Sequence, residues 1–150
     1  MHTPESEQIA QQATLPLGLG IAELERRLSK GLSLMLSEEK ATLEQWRALA
    51  AIAALHSPTM TELASDTGLP AATLTRTIDS LVDDALVFRL ASKGDRRRTN
   101  VYLSEFGRAK LDRLNTMGDA WQDSLTRDLG ETHSEALASA ISHALEVLRS

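Results

Sequence analysis

Six stretches of this chain repeat apolar residues at helical spacing, and between the fourth and fifth lie two short apolar runs. From Leu17 the positions Ile21, Leu24, Leu28, Leu32 and Met35 recur every three or four residues, which predicts a helix. Gly31 falls inside that stripe and weakens it slightly. Ser37-Glu38-Glu39-Lys40 is a polar break. Thr42-Leu43-Glu44-Gln45 then has the spacing of a capping box, in which hydroxyl and amide each satisfy an orphan backbone donor. The helix it opens carries Trp46, Leu49, Ile52, Ala53 and Leu55 and stops near His56-Ser57-Pro58.

A second capping box, Thr59-Met60-Thr61-Glu62, opens a short helix that turns Leu63 and Ala64 inward and is closed by Gly68. Capping accounts for Thr59 and Thr61 better than phosphate binding does. Pro70 suits a first helical turn, and the next helix reaches about Asp84 with Leu74, Ile78, Leu81 and Val82 on one side. Two short helices about a tight glycine turn make a helix-turn-helix. Two strands follow, Leu86–Leu90 and Asn100–Leu103, joined by a polar turn at Gly94 that forms a wing. Ser104 caps a long helix whose apolar positions Leu111, Leu114, Trp121 and Leu125 approach a heptad seam. Gly118 takes the missing seam position, for close approach or for a kink. A third capping box, Thr132-His133-Ser134-Glu135, is expected to open the last helix, with Leu137, Ile141, Leu145 and Leu148 along one side.

The predicted fold is mainly α with a small β-wing. A winged helix-turn-helix core spans about 42–104, and outer helices cover about 15–38 and 105–149, all within one subunit. Residues 1–14 lack a sustained apolar period and are expected to be loose, and their acidic, polar start is unlike a signal peptide. The outer helices carry more apolar stripe than so small a core can cover, so they are expected to bury it in a homodimer, the commonest kind of oligomer.

The net charge of −5 argues against a nucleic-acid partner, but its distribution argues for one. Residues 70–110 hold eight cations against five anions, a local +3, so the remainder carries −8. Four of those cations, Lys93, Arg96, Arg97 and Arg98, fall within six residues at the wing. Screening within about 10 Å lets such a patch act apart from the acidic body. A groove-sized helix beside a cationic hairpin suits double-stranded DNA.

On the helix, Ala71 and Ala72 permit close approach and can touch thymine methyls, while Thr73, Thr75 and Arg76 can bond bases or phosphates. The plainer account of Arg76 is an ion pair with Asp79 or Asp83 on a solvated helix face. The plainer account of the wing is a charged edge that stays soluble, although three consecutive arginines exceed that need. Lys93, Arg96 and Arg98 read as phosphate neutralisers.

The pieces Leu74-Thr75-Arg76, Asp95-Arg96-Arg97 and Val101-Tyr102-Leu103-Ser104-Glu105-Phe106-Gly107 resemble the MarR family of winged helix-turn-helix regulators. The resemblance covers about Leu17 to Leu148. The family wing reads Asp, any residue, Arg, then a strand ending Leu-Thr-x-x-Gly, and here Ser104 replaces the threonine. The family usually has glycine before the first wing strand, where this chain has Ala85; a left-handed backbone there strains alanine by about 1 kcal/mol. The resemblance implies a triangular homodimer and a palindromic operator. It also implies repression, often released by a small phenolic or similar effector. By the same resemblance Arg97 enters the minor groove, with Asp95 holding Arg97 or the wing turn in shape.

Trp46 and Trp121 read first as core residues, and both are candidates to line an effector cavity between the outer helices and the winged core. His56, His133 and His143 are far apart in sequence and lack neighbouring cysteines, so no metal is expected. His56 is read as ending a helix and His133 as part of a cap. No cofactor is expected, and no catalytic constellation or phosphate-binding loop is evident. With no cysteine and no bilayer-length apolar run, a cytoplasmic protein is expected. The competing expectation is a winged-helix protein-interaction module that does not read DNA.

Overall fold

The computed structural model describes residues 15–149, so the expectation of a loose segment before Leu15 lies outside the described residues. Among the described residues, six helices and one two-stranded antiparallel sheet follow one another in the predicted order. They are α1 (Leu17–Ser37), α2 (Leu43–Leu55), α3 (Met60–Thr67), α4 (Ala71–Asp83), β1 (Val87–Ser92), β2 (Asp95–Leu103), α5 (Glu105–Leu129) and α6 (Glu131–Val147). This is a winged-helix fold, mainly helical with a small β-wing.

Two of the three predicted capping boxes form. Thr42 accepts from the Gln45 backbone while the Gln45 side chain accepts from the Thr42 N–H, and Thr59 and Glu62 do the same for α3. The Glu62 carboxyl is held below its ordinary range chiefly by the Thr59 backbone N–H, then by the Thr59 hydroxyl, with the Arg98 charge nearby. The third box does not form. Gly130, with φ +80°, passes the chain straight from α5 into α6, so the helix starts at Glu131 without a side-chain cap. Thr132 and His133 therefore lie in its first turn, and the Ser134 hydroxyl meets that of Thr126 on α5. A glycine at positive φ completes the turn in one residue and leaves no extended position for a capping hydroxyl.

The core sits where α2, α4 and the wing base converge on α1 and α5. Leu36, Leu49, Leu63, Leu74, Ile78, Leu81, Val101 and Leu114 are fully buried. Lys110 Nζ and Arg113 Nε on α5 reach Glu39 Oε2 at 3.2 and 3.1 Å, tying the α1–α2 loop to the long helix. Arg113 first, then Lys110, hold the Glu39 carboxyl below its ordinary value of 4.5. The sign follows: this tie contributes above that pH and is lost as pH falls through the lowered value.

Two glycines permit close approach. A Cβ on Gly107 would lie 1.9 Å from the Leu86 carbonyl oxygen, so only glycine lets the first turn of α5 press against the wing base. A Cβ on Gly118 would lie 2.4 Å from the Trp46 ring. Gly118 therefore admits the indole, and α5 runs unbroken through it.

Ala85 has φ +58°, so the backbone is left-handed where the family usually has glycine. Its carbonyl accepts from the Ser104 hydroxyl at 2.7 Å, and its N–H donates to Val82, so the turn is held despite the side chain. Ala85→Gly is expected to stabilise the fold by about 0.5 kcal/mol, since relief of the left-handed strain slightly exceeds glycine's added chain entropy. Chemical denaturation of the two proteins measures it.

Candidate nucleic-acid interface

The wing differs from its predicted form in one respect that bears on function. The strands extend further than expected, and the three arginines lie in β2 rather than in the turn. Pairing runs regularly from Val87–Leu103 to Ala91–Thr99, then jumps so that Ser92 faces Asp95. Arg96, Arg97 and Arg98 thus have no partner residue on β1. A bulge of this kind frees backbone and re-aims side chains near the end of a ribbon. The apolar alternation at the strand bases is what sequence patterning detects, and it stops before this polar tip.

Asp95 Oδ1 accepts from the Arg97 backbone N–H at 2.9 Å. Its partner is therefore the main chain, and it shapes the wing turn rather than clamping the guanidinium. That leaves the Arg97 side chain exposed, with Lys93, Arg96 and Arg98 exposed beside it. Arg98 lies on the side of Glu62, close enough for its charge to act on that carboxyl.

The base of the wing is anchored to the helix-turn-helix. The Asn100 amide donates to the Ser57 carbonyl at 2.7 Å, and the Val101 N–H donates to the Pro58 carbonyl at 2.8 Å. Arg89 of β1 pairs with Asp79 of α4 at 2.6 Å. Asn100, Arg89 and Asp79 are positioning residues that sequence reading missed. Their partners lie 43 and 10 residues away, beyond any local spacing rule.

On α4, Ala71, Ala72, Thr75 and Arg76 are exposed and Thr73 is half-buried. The Thr75 hydroxyl donates to the Ala71 carbonyl at 2.9 Å, which leaves its oxygen lone pairs outward. Arg76 donates to the Ala72 carbonyl at 3.3 Å within its own helix. The expected alternative, Arg76 paired with Asp79 or Asp83, does not form; Asp79 pairs with Arg89 instead. Thr73, Arg76 and Ser80 of α4 share a shallow depression with Gln45 at the start of α2. The exposed arc of α4 and the arginine-bearing strand are thus parts of one braced unit.

Trp46 and Trp121 lie elsewhere. Both line a cleft of about 800 Å3 between α1, α2, α5 and α6, with Leu28, Leu32 and Leu137. The Trp46 Nε1–H donates to Asn115 Oδ1 at 2.9 Å.

A sequence model of the MarR family matches residues 41–98, from just before α2 through the arginines of β2. The chain is similar to MarR from E. coli in its apo form, with 26% identity and a TM-score of 0.78 over 89% of this chain and 99% of that one. By this match and by fold, the chain is similar to the MarR family. That family comprises DNA-binding transcriptional regulators of the winged-helix type. The chain is also similar to the transcriptional repressor CouR bound to a 23-mer DNA duplex, at 25% identity and TM-score 0.81, covering 87% of this chain and 92% of that one. BpsR of Bordetella bronchiseptica, whose DNA binding is regulated by 6-hydroxynicotinic acid, shares the MarR fold at TM-score 0.79 and 18% identity, covering 89% of this chain and 95% of that one. No curated protein matches the chain in sequence. No helix among the described residues is long and apolar enough to cross a membrane, and no group of acidic or histidine side chains among them is arranged to hold a metal.

Proposed function

We propose that this chain is a homodimeric repressor of the MarR family that binds a palindromic operator and releases it when a small organic effector fills the tryptophan cleft. The observation that carries the DNA reading is the unpaired run Arg96-Arg97-Arg98, exposed on a wing braced against the exposed face of α4. In this reading Ala71, Ala72, Thr73, Thr75 and Arg76 meet the major groove. Arg97 enters the minor groove, where a narrow A·T tract concentrates negative potential. Lys93, Arg96 and Arg98 neutralise phosphates, and Asp95 sets the wing turn. An operator-bound role places the protein in the cytoplasm.

The dimer reading is supported by apolar surface that the single chain leaves open. Leu17, Leu19 and Ile21 on α1 and Ile141, Leu145 and Val147 on α6 are exposed, and no residue of α6 is buried. The segments at about 15–38 and 105–149 then serve as dimerisation helices around a DNA-binding core of about 42–104. Two α4 helices must lie about 34 Å apart to meet successive major grooves. The cleft is lined both by outer helices and by Trp46 of the core, so a ligand there can favour one spacing over another. Its effect is limited by its differential affinity for the two forms. The chain has no cysteine, so its switch is not thiol oxidation.

A salt titration of duplex binding tests the DNA reading. With three phosphates neutralised per subunit, the slope of log affinity against log salt is expected near about −5 for the dimer. A flat titration would point instead to a protein-interaction module.

A further inference from the structure

The tryptophan cleft is electrically one-sided. Fourteen residues line it, and Asp119 is the only one of them with an acidic or basic side chain; no lysine, arginine or histidine is among them. Asp119 forms no ion pair among the described residues. It stands one turn from Asn115 on α5, so the two share a helix face. The other polar groups, on Asn115, Gln122, Ser134 and Ser142, are neutral.

The indoles add to this polarity. Trp46 is seated where Gly118 leaves room for its ring, and Trp121 where Gly31 does. Indole rings attract cations through the negative face of the π-system, more strongly than other aromatic side chains do. The Trp46 Nε1–H is already satisfied by Asn115, and an indole can only donate, so the Asn115 oxygen is the atom engaged. The Asn115 amide hydrogens remain for a ligand acceptor. Neutral donors of that kind can hold a hydroxyl or carbonyl, but an aromatic carboxylate here would lose water against a like charge with no cation to replace it.

We infer that this cleft takes an aromatic or similarly apolar ammonium cation in preference to an aromatic acid. The inference rests on the reading of the cleft as the effector site. Its parts are two indoles that bracket an apolar body and one carboxylate that meets the cationic end.

Trp46 and Trp121 are the only tryptophans of the chain, so fluorescence excited selectively at tryptophan reports on the cleft alone. The full chain, with and without a bound operator duplex, is titrated with three matched probes: 4-phenylbenzyltrimethylammonium, 4-phenylbenzyl alcohol and biphenyl-4-carboxylate. Saturable fluorescence change is expected in the order cation, alcohol, carboxylate, with the cation favoured over the carboxylate by about ten-fold. Asp119→Asn is expected to weaken the cation by about five-fold, the upper scale of one exposed charge pair, and to leave the alcohol unchanged. Equal or tighter binding of the carboxylate, or no effect of Asp119→Asn on the cation, would overturn the charge preference while the effector reading stands. Failure of all three probes to change fluorescence, with tryptophans already shielded from an aqueous quencher, would show that a second copy of the chain covers the cleft. It would overturn both. Fluorescence change without operator release would remove the effector role and leave the cleft's ligand preference intact.

Discussion

Arg97→Ala is expected to lower operator affinity by about a hundred-fold at fixed salt while leaving the fold and the dimer unchanged. The estimate takes about 1–3 kcal/mol for each side chain seated in a groove, counted once per half-site. The folded chain has little to lose, since the Arg97 side chain is exposed and the wing turn is held by its backbone N–H on Asp95. The unpaired stretch on β2 isolates the effect further, because no β1 residue sits opposite it. Arg96→Ala serves as the contrast: removing a charge that faces phosphate flattens the salt dependence and weakens every sequence alike. Fluorescence anisotropy on labelled operator, with thermal unfolding of the same preparations, separates binding from folding. Equal affinity of Arg97→Ala and the parent would remove the minor-groove role.

Ile21→Asp combined with Leu145→Asp is expected to turn the dimer into folded monomers. Both side chains are about 60% exposed in the single chain, 59% and 62%, so neither substitution disturbs the core. Covering the remaining surface of each is worth about 1 kcal/mol. Two-fold symmetry counts each site twice, so about 4 kcal/mol is lost, or roughly three decades in the dimer dissociation constant. Burying four new carboxylates at the interface adds to the loss. Sedimentation across a concentration series checks the mass, and circular dichroism checks that the helices survive. A variant that still sediments as a tight dimer would place the interface elsewhere. Neither position lines the tryptophan cleft, so ligand binding to the monomer can be compared directly.

The helices were legible because each combines an apolar period with an end signal. Thr42 with Gln45 and Thr59 with Glu62 mark the starts of α2 and α3, and Gly68, in the left-handed conformation, marks the end of α3. At Thr132 the same hydroxyl-to-glutamate spacing misled, because Gly130 had already made the turn. The spacing of a capping box shows that a cap is possible, whereas the backbone of the preceding residue decides whether it is used. The strand bases were visible as apolar runs. The tip was not, since Arg96, Arg97 and Arg98 offer no alternation from which to read a register.

The candidate interface was legible in its residue types and not in its bracing. Exposed arginines and small helix residues announce themselves by composition. The tie from Arg89 to Asp79 and the anchoring of Asn100 on Ser57 join separate elements, and they decide how rigidly the wing is presented to α4. The backbone at Ala85 was raised as a question only by the family's glycine there, since an alanine carries no left-handed signal of its own. Similarly, the two tryptophans were visible as candidates. The charge balance of their cleft emerged only when α1, α2, α5 and α6 were brought together.

The central claim, that paired winged units grip a duplex at a spacing set by the outer helices, is tested most directly by selecting bound fragments from random-sequence DNA and weighing the complexes. The account predicts an inverted repeat with half-site centres about 10 base pairs apart, carried by two chains per duplex. A non-repeated site bound by one chain, or no enrichment of any sequence at low salt, would contradict it.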